Sequence, residues 1–574
     1  MNKKQERKKI FKNRYALKTE ELFQMRQKLQ IEIRRQDREK FLVARRNYQK
    51  DSNPYNNDFK NEFYSNISKI PRCNNIKQLD GICTSNTSSN IGLGEISLHN
   101  TLSISQQFYQ LIEGLNSNCV EIQLISLSKF RKLLSGESII SIQEIIDNYA
   151  IPIFVQFLLS KNVDLRYEAA WILSNISTGS TEQIQAIINA GVLPIFTELL
   201  NKTTDMRLQN HILWALGNIA IDNPQFRELI LREGNLGVSC QCILDANVQP
   251  CSVLRTMSWT LSSIYRGHIT DSDWSQISST FPILTQLINL KDDEILYNVC
   301  WALSYLGENN HIEDVINLGV SPHLVNLMVH VNHEVQTAAL HCVRSIVSGN
   351  DSQRQVIIDC GILTVLKSLL VNTKSSIRKD ACFILSHITT GNIDQIEHVI
   401  HVGLISLAIN LMTNSDFQTQ RETCYAVCNA IRRCYNRPEL TICIVRQGCI
   451  QPLVNMLNYM DNDIICVVLK AINSILQLEK TLAIENNCKN QCTLLIEEIG
   501  GMDRITELQN HENDEIRLLA YNIIDKYFAE EDEGYESELN QSFDLNGQNR
   551  FLNKQFNYQS SNSIDNVEII GVKI

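Results

Sequence analysis

The sequence predicts an all-α solenoid, and three observations carry that prediction. A tryptophan recurs in similar surroundings in YEAAWILSNISTG (Trp171), HILWALGNIAID (Trp214), RTMSWTLSSIYRG (Trp259) and YNVCWALSYLGEN (Trp301), at steps of 43, 45 and 42 residues. Steps of that size are the period of stacked helical repeats. An apolar run follows a glycine in NAGVLPIFTELL, NLGVSPHLVNLM, DCGILTVLKSLL, HVGLISLAINLM and RQGCIQPLVNML, with leucines at helical spacing. At 574 residues, 44% of them hydrophobic, the chain is too long for one compact core, whereas a solenoid grows without enlarging one.

The elements follow in order. Residues 1–50 form a basic arm, with 17 Lys/Arg against 6 Asp/Glu; the whole chain is −10, so residues 51–574 carry −21. Strong helix formers dominate IEIRRQDREKFLVARR and predict a helix over about 20–46, marginal on its own because so much of it is polar. Residues 51–103, rich in Asn and Ser, read as a flexible linker. Residues 104–528 hold the repeats, about nine or ten of them, each glycine suiting a left-handed helix end. Residues 529–574 begin acidic (AEEDEGYESE), continue polar, and read as a disordered tail.

Several function classes fall away. No run approaches the roughly 18 apolar residues of a membrane span, and MNKKQERKKI lacks the apolar core of a signal peptide. The 18 cysteines lie mostly in apolar helical runs, as small core residues of a reducing compartment. Cys240-x-Cys242 and Cys488-x3-Cys492 have no partner pair at ligand spacing, so no metal and no cofactor is expected. No phosphate-binding loop, nucleophile elbow or H-E-x-x-H motif marks an enzyme. An acidic body repels a phosphate backbone, so the basic arm suits an acidic protein partner better than nucleic acid.

The tryptophans carry the functional reading. Asn175 and Asn218 stand four residues after Trp171 and Trp214, on the same helix face, with Ser263 in the corresponding place after Trp259 and Tyr305 after Trp301. The frame continues through His341, Phe383 and Tyr425, with Ser345, His387 and Asn429 as partners. Parallel indoles make slots for the methylene stems of Lys or Arg and attract the cationic head. Asparagine amides hold an extended backbone, and Asp222 and Glu294 would receive ammonium groups. One such pair alone reads as packing plus a helix-end cap; repetition in register reads as a groove for a lysine-rich peptide. The rival reading is a cytoplasmic armadillo scaffold of the beta-catenin sort for acidic partners, which needs a basic groove.

On these motifs the chain resembles the importin alpha (karyopherin alpha) family over nearly its whole length. AWILSNISTGSTEQ, WALGNIA, WTLS and CWALSYL resemble its second to fifth repeats, and IEEIGGMDRITELQNHENDEIRLLAYNIIDKYF its C-terminal repeat. The resemblance implies a right-handed superhelical armadillo solenoid and a nuclear import adaptor shuttling between cytoplasm and nucleus. It implies a major site for nuclear localisation signals at Trp171, Asn175, Gly179, Trp214, Asn218, Asp222, Trp259, Glu294, Trp301 and Tyr305. A degraded minor site falls on Val347, Asp380, Phe383, His387, Glu422, Tyr425 and Asn429. Importin beta would bind the arm through Arg34, Arg35, Arg38, Arg45 and Arg46, and an export receptor of the importin-beta superfamily would bind the C-terminal repeat. Ser263 and Asn298 depart from the family's Asn and Asp, Phe383 and Tyr425 from Trp, and Ser345 and His387 from Asn; the arm has Ala44-Arg45-Arg46 for the usual Lys-Arg-Arg. A protonated His387 would repel a basic peptide.

Overall fold

The computed structural model describes residues 104–135, 141–233, 236–245, 251–486 and 491–528, all in a unit that spans 101–574. The basic arm, the linker before residue 104 and the tail from 529 lie outside the described residues.

Among the described residues all regular structure is helical. The long helices are α1 (Val120–Ser135), α2 (Val163–Ile176), α3 (Met206–Asp222), α4 (Cys251–Tyr265), α5 (Asp293–Glu308), α6 (His333–Val347), α7 (Ser375–Ile388), α8 (Phe417–Arg433), α9 (Asn462–Asn486) and α10 (Asp514–Tyr527). Each packs along the next, so α1 to α10 form one continuous layer. Shorter helices between them form the rest of each repeat, as Thr181–Asn189 and Val192–Lys202 do ahead of α3.

Local chemistry sets this pattern. Thr181–Asn189 and Val192–Lys202 meet at 70°, and Ile393–His401 and Leu404–Asn414 meet at 73°. The corner residues are Gly191 (φ 77°) and Gly403 (φ 81°), in the left-handed region where a side chain is strained. An added Cβ would touch nothing within 4 Å at either, so the requirement is conformational rather than one of space. The long helices start at polar caps. Asn162 accepts from the Asp164 and Leu165 amides, Asp205 from Arg207, Asp292 from Ile295, Asn332 from Glu334 and Asp416 from Thr419. Each cap stands nine residues before a member of the aromatic frame (Trp171, Trp214, Trp301, His341, Tyr425), so the cap fixes the height at which each ring projects. Lys374 holds that place ahead of Phe383 without a side-chain cap.

The core is one apolar cluster running through all the repeats, filled from α3 by Leu208, Ile212, Leu213, Leu216 and Ile219, and likewise from the other long helices. Among the described residues no single helix is long and apolar enough to cross a membrane, and no group of His, Cys, Asp and Glu could hold a metal ion.

Candidate peptide groove along the aromatic ladder

The frame aromatics lie on successive long helices, as their spacing predicts. Trp171, Trp259 and Trp301 are half-buried, whereas Trp214 is only 6% exposed. The reason is a ring-on-ring contact: Trp214 stacks on Trp259 with centroids 4.9 Å apart and planes at 27°. Gly217, one turn after Trp214, makes that approach possible, since a Cβ there would stand 2.2 Å from the Trp259 ring. Trp171 stacks instead on His211 at 4.6 Å, and Trp301 lies between Tyr305 (5.7 Å) and His341 (5.0 Å). The simple picture of open slots between consecutive indoles therefore needs correction. Between Trp214 and Trp259 the rings close the gap themselves, so only outer edges of the half-buried rings face outward.

The amides divide in the same way. Asn175 is half-buried on α2, while Asn218 is 4% exposed and its Nδ2 donates to Ser177 Oγ at 3.1 Å, tying α3 to the preceding repeat. Asn298 is equally buried and donates to Ser258 Oγ at 3.1 Å. Ser263 turns back onto its own helix, its hydroxyl donating to the Trp259 carbonyl at 2.8 Å. Gly179 sits against Gln183, whose Oε1 a Cβ would meet at 2.3 Å.

Asp222 is the last residue of α3, half-buried, and its Oδ2 is buried with no hydrogen-bond partner. It stands where the helix C-terminus already favours a cation. Glu294, in the first turn of α5, lies 3.6 Å from Arg255, which also holds Asp292 at 2.7 Å. Desolvation pushes the Glu294 carboxyl above its ordinary range against the pull of Arg255. Trp301 Nε1 is buried without a partner, a donor left over within the ladder.

The second stretch, over α6 to α8, is more closed. Val347 is fully buried. Arg344 Nη1 donates to Asp380 Oδ1 at 2.8 Å, and its guanidinium lies 4.0 Å from the centroid of Phe383. His387 tilts against Phe383 at 4.3 Å, with both ring nitrogens buried and without partners. Burial, helped by Arg354 and Arg344, pulls its pKa down to about 4, which disfavours the charged form that would repel a basic peptide. Glu422 is buried and its carboxyl raised by desolvation. Tyr425 is 2% exposed beneath Arg421, and desolvation raises its hydroxyl to about 12. Asn429 donates to the Ser386 carbonyl at 3.2 Å, and Ser345 to that of Cys342 at 2.7 Å.

Sequence reasoning missed the chain's own cations. Arg131 lies 4.1 Å over Trp171 and pairs with Glu168 at 2.6 Å; Arg255, Arg344 and Arg421 each pair with an aspartate. The available signal was position: Arg131 aside, Arg255 and Arg421 precede Trp259 and Tyr425 by one turn, and Arg344 follows His341 by three residues. The arm residues Arg34, Arg35, Arg38, Arg45 and Arg46 lie outside the described residues.

Comparison with known proteins places this geometry. An importin beta binding domain model matches residues 7–128, armadillo/beta-catenin-like repeat models match 141–178, 180–221, 350–390 and 437–476, and an atypical Arm repeat model matches 490–542. Importin subunit alpha-1b of Oryza sativa subsp. japonica is 34% identical over 429 residues, 74% of this chain and 79% of that protein. Importin subunit alpha-4 of Arabidopsis thaliana is 39% identical over the same shares. An engineered protein of known crystal structure shares the fold, with a TM-score of 0.62 over 73% of this chain and 98% of its own at 24% identity. With the tandem repeats, the amino-terminal segment that matches the importin beta binding model and relatives matched over most of both lengths, the chain belongs to the importin alpha family of nuclear import adaptors.

Proposed function

We propose that α2 to α5 bind an extended, lysine-rich nuclear localisation signal and that the basic arm couples the loaded chain to importin beta through Arg34, Arg35, Arg38, Arg45 and Arg46. The observation that carries the groove reading is the unpartnered Asp222 Oδ2 at the C-terminus of α3, in the same stretch of the layer as Trp171, Trp214 and Trp259. A half-buried carboxylate without a donor, on a helix end of negative polarity, calls for an ammonium group. The half-buried indole edges supply stem packing and cation–π attraction, and Asn175 a backbone-binding amide. Phe383, Tyr425 and their neighbours serve as a weaker second site.

The scaffold reading for acidic ligands is disfavoured, because Arg131, Arg255, Arg344 and Arg421 are each matched by a carboxylate of the chain. An export receptor of the importin-beta superfamily is proposed for the C-terminal repeat, where Leu518 and Tyr521 of α10 are exposed, and with it shuttling between nucleus and cytoplasm. The groove is tested by calorimetry with a single-cluster lysine peptide. Asp222→Lys should abolish binding, and Trp259→Ala should weaken it by about 1–2 kcal/mol. Unchanged affinity in both variants overturns the assignment.

A further inference from the structure

Three residues after each ladder aromatic the side chain is small: Ser174, Gly217, Ser262, Ser304, Ser386 and Cys428. Gly217 shows the cause, since the next repeat's aromatic lies over this position and leaves no room even for a Cβ. Arg344 breaks the series. Its repeat is followed by Phe383, a single ring where the first repeats have an indole, and the planar guanidinium lies over that smaller ring, 4.0 Å from its centroid. The same guanidinium donates to Asp380 at 2.8 Å, with the two side chains 12% and 11% exposed. On α7 itself, His387 packs against Phe383 at 4.3 Å.

We infer that Arg344 is a built-in occupant of the second site. It rests on the groove reading above and adds a specificity-determining residue to it. A basic peptide residue arriving here seeks an aromatic face and a carboxylate; Arg344 already supplies the cation to both. Displacing it exposes no empty slot, because it would strand a nearly buried charge on whichever partner is left behind. The chain therefore reads the first basic cluster of a signal and gains little from a second. This differs from a site weakened only by lost tryptophans, because self-occupation at Phe383 and Asp380 is reversible by one substitution, whatever Arg421 does over Tyr425.

The test uses the full chain and two peptides, one with a single lysine-rich cluster and one with the same cluster joined by a linker to a second basic pair. The wild-type chain should bind both within about threefold. Arg344→Ser, which restores the commonest residue at this place in the other repeats, should bind the two-cluster peptide at least about tenfold tighter and leave the single-cluster affinity unchanged. Arg344→Gln keeps the stem and a hydrogen bond to Asp380 but removes the charge, and should give a smaller gain in the same direction should the serine variant fold poorly. A wild-type preference for two clusters above about tenfold, or no gain in either variant, overturns the inference. The groove reading fails separately, if Asp222→Lys leaves single-cluster binding intact.

Discussion

Trp214 lies flat against Trp259 across the α3–α4 boundary, with ring centroids 4.9 Å apart, over a glycine that has no room for a side chain. On the proposed groove reading, the contact couples stability to recognition, because the half-buried face of Trp259 is held in place by the buried ring beneath it. Gly217→Ala tests that coupling. The added methyl would meet the Trp259 ring at 2.2 Å, and the ring sits on α4 rather than on a free-moving chain end. We expect a loss of about 1–3 kcal/mol of stability, typical of overpacking, with a parallel fall in affinity for a lysine-rich peptide. Denaturant unfolding and calorimetry on one preparation check it; a variant as stable and as tight as the wild type would show that the ring moves freely.

The ladder was legible in the sequence because a backbone period is a sequence property. Steps of 42 to 45 residues put Trp171, Trp214, Trp259 and Trp301 on neighbouring helices without reference to any side-chain detail. What those rings do to one another was not legible. Whether an indole faces a peptide or its neighbour depends on contacts between residues some 40 apart, as Trp214 with Trp259 and Trp171 with His211 show. Arg344 was missed for the same reason: its partners Asp380 and Phe383 stand on another helix. His387 looked like a switchable charge from its identity alone, and only its burial reveals a neutral ring.

His387 should leave a signature in acid. Its folded pKa of about 4 lies below the ordinary 6.5, so between those values the unfolded chain binds more protons than the folded one. Stability from this group is therefore complete above about pH 6.5 and is lost as pH falls toward 4. Its size is roughly 3 kcal/mol at about 1.36 kcal/mol per unit. Glu422, raised by burial, acts in the opposite sense, so the comparison must be with a variant rather than absolute. The stability difference between wild type and His387→Asn should shift against the wild type from pH 7 to pH 4.5; a difference flat with pH would mean that the ring is not buried in its neutral form.

The arm carries +11 against a body of −21, and the importin beta binding match begins at residue 7. Deleting residues 1–50 should remove importin beta binding while leaving the melting temperature of the repeats within a degree or two, since among the described residues the apolar core cluster begins at Phe108. Replacing Arg34, Arg35 and Arg38 with Glu should weaken binding at least about a hundredfold at low salt and less at high salt, because the attraction is between exposed charges. A pull-down in which the deletion retains the receptor would show that the contact lies elsewhere.

We propose that the same arm competes with peptides for the groove, and its sequence bears on how strongly. Asp222 offers a buried carboxylate oxygen that suits a compact ammonium group with three donors. In the arm, the cluster that resembles the family's inhibitory segment reads Ala44-Arg45-Arg46, with alanine where the family has lysine. Without that ammonium the Ala44-Arg45-Arg46 cluster itself offers only guanidinium groups, and a planar fork matches a single carboxylate oxygen less well than a compact ammonium does. The full chain and a version lacking residues 1–70 should therefore bind a single-cluster peptide within about tenfold of each other, and Ala44→Lys should weaken peptide binding to the full chain while leaving the truncated version untouched. A gain well above tenfold on truncation would mean that Arg45 and Arg46 reach the groove without the lysine, and that Asp222 accepts a guanidinium as readily as an ammonium.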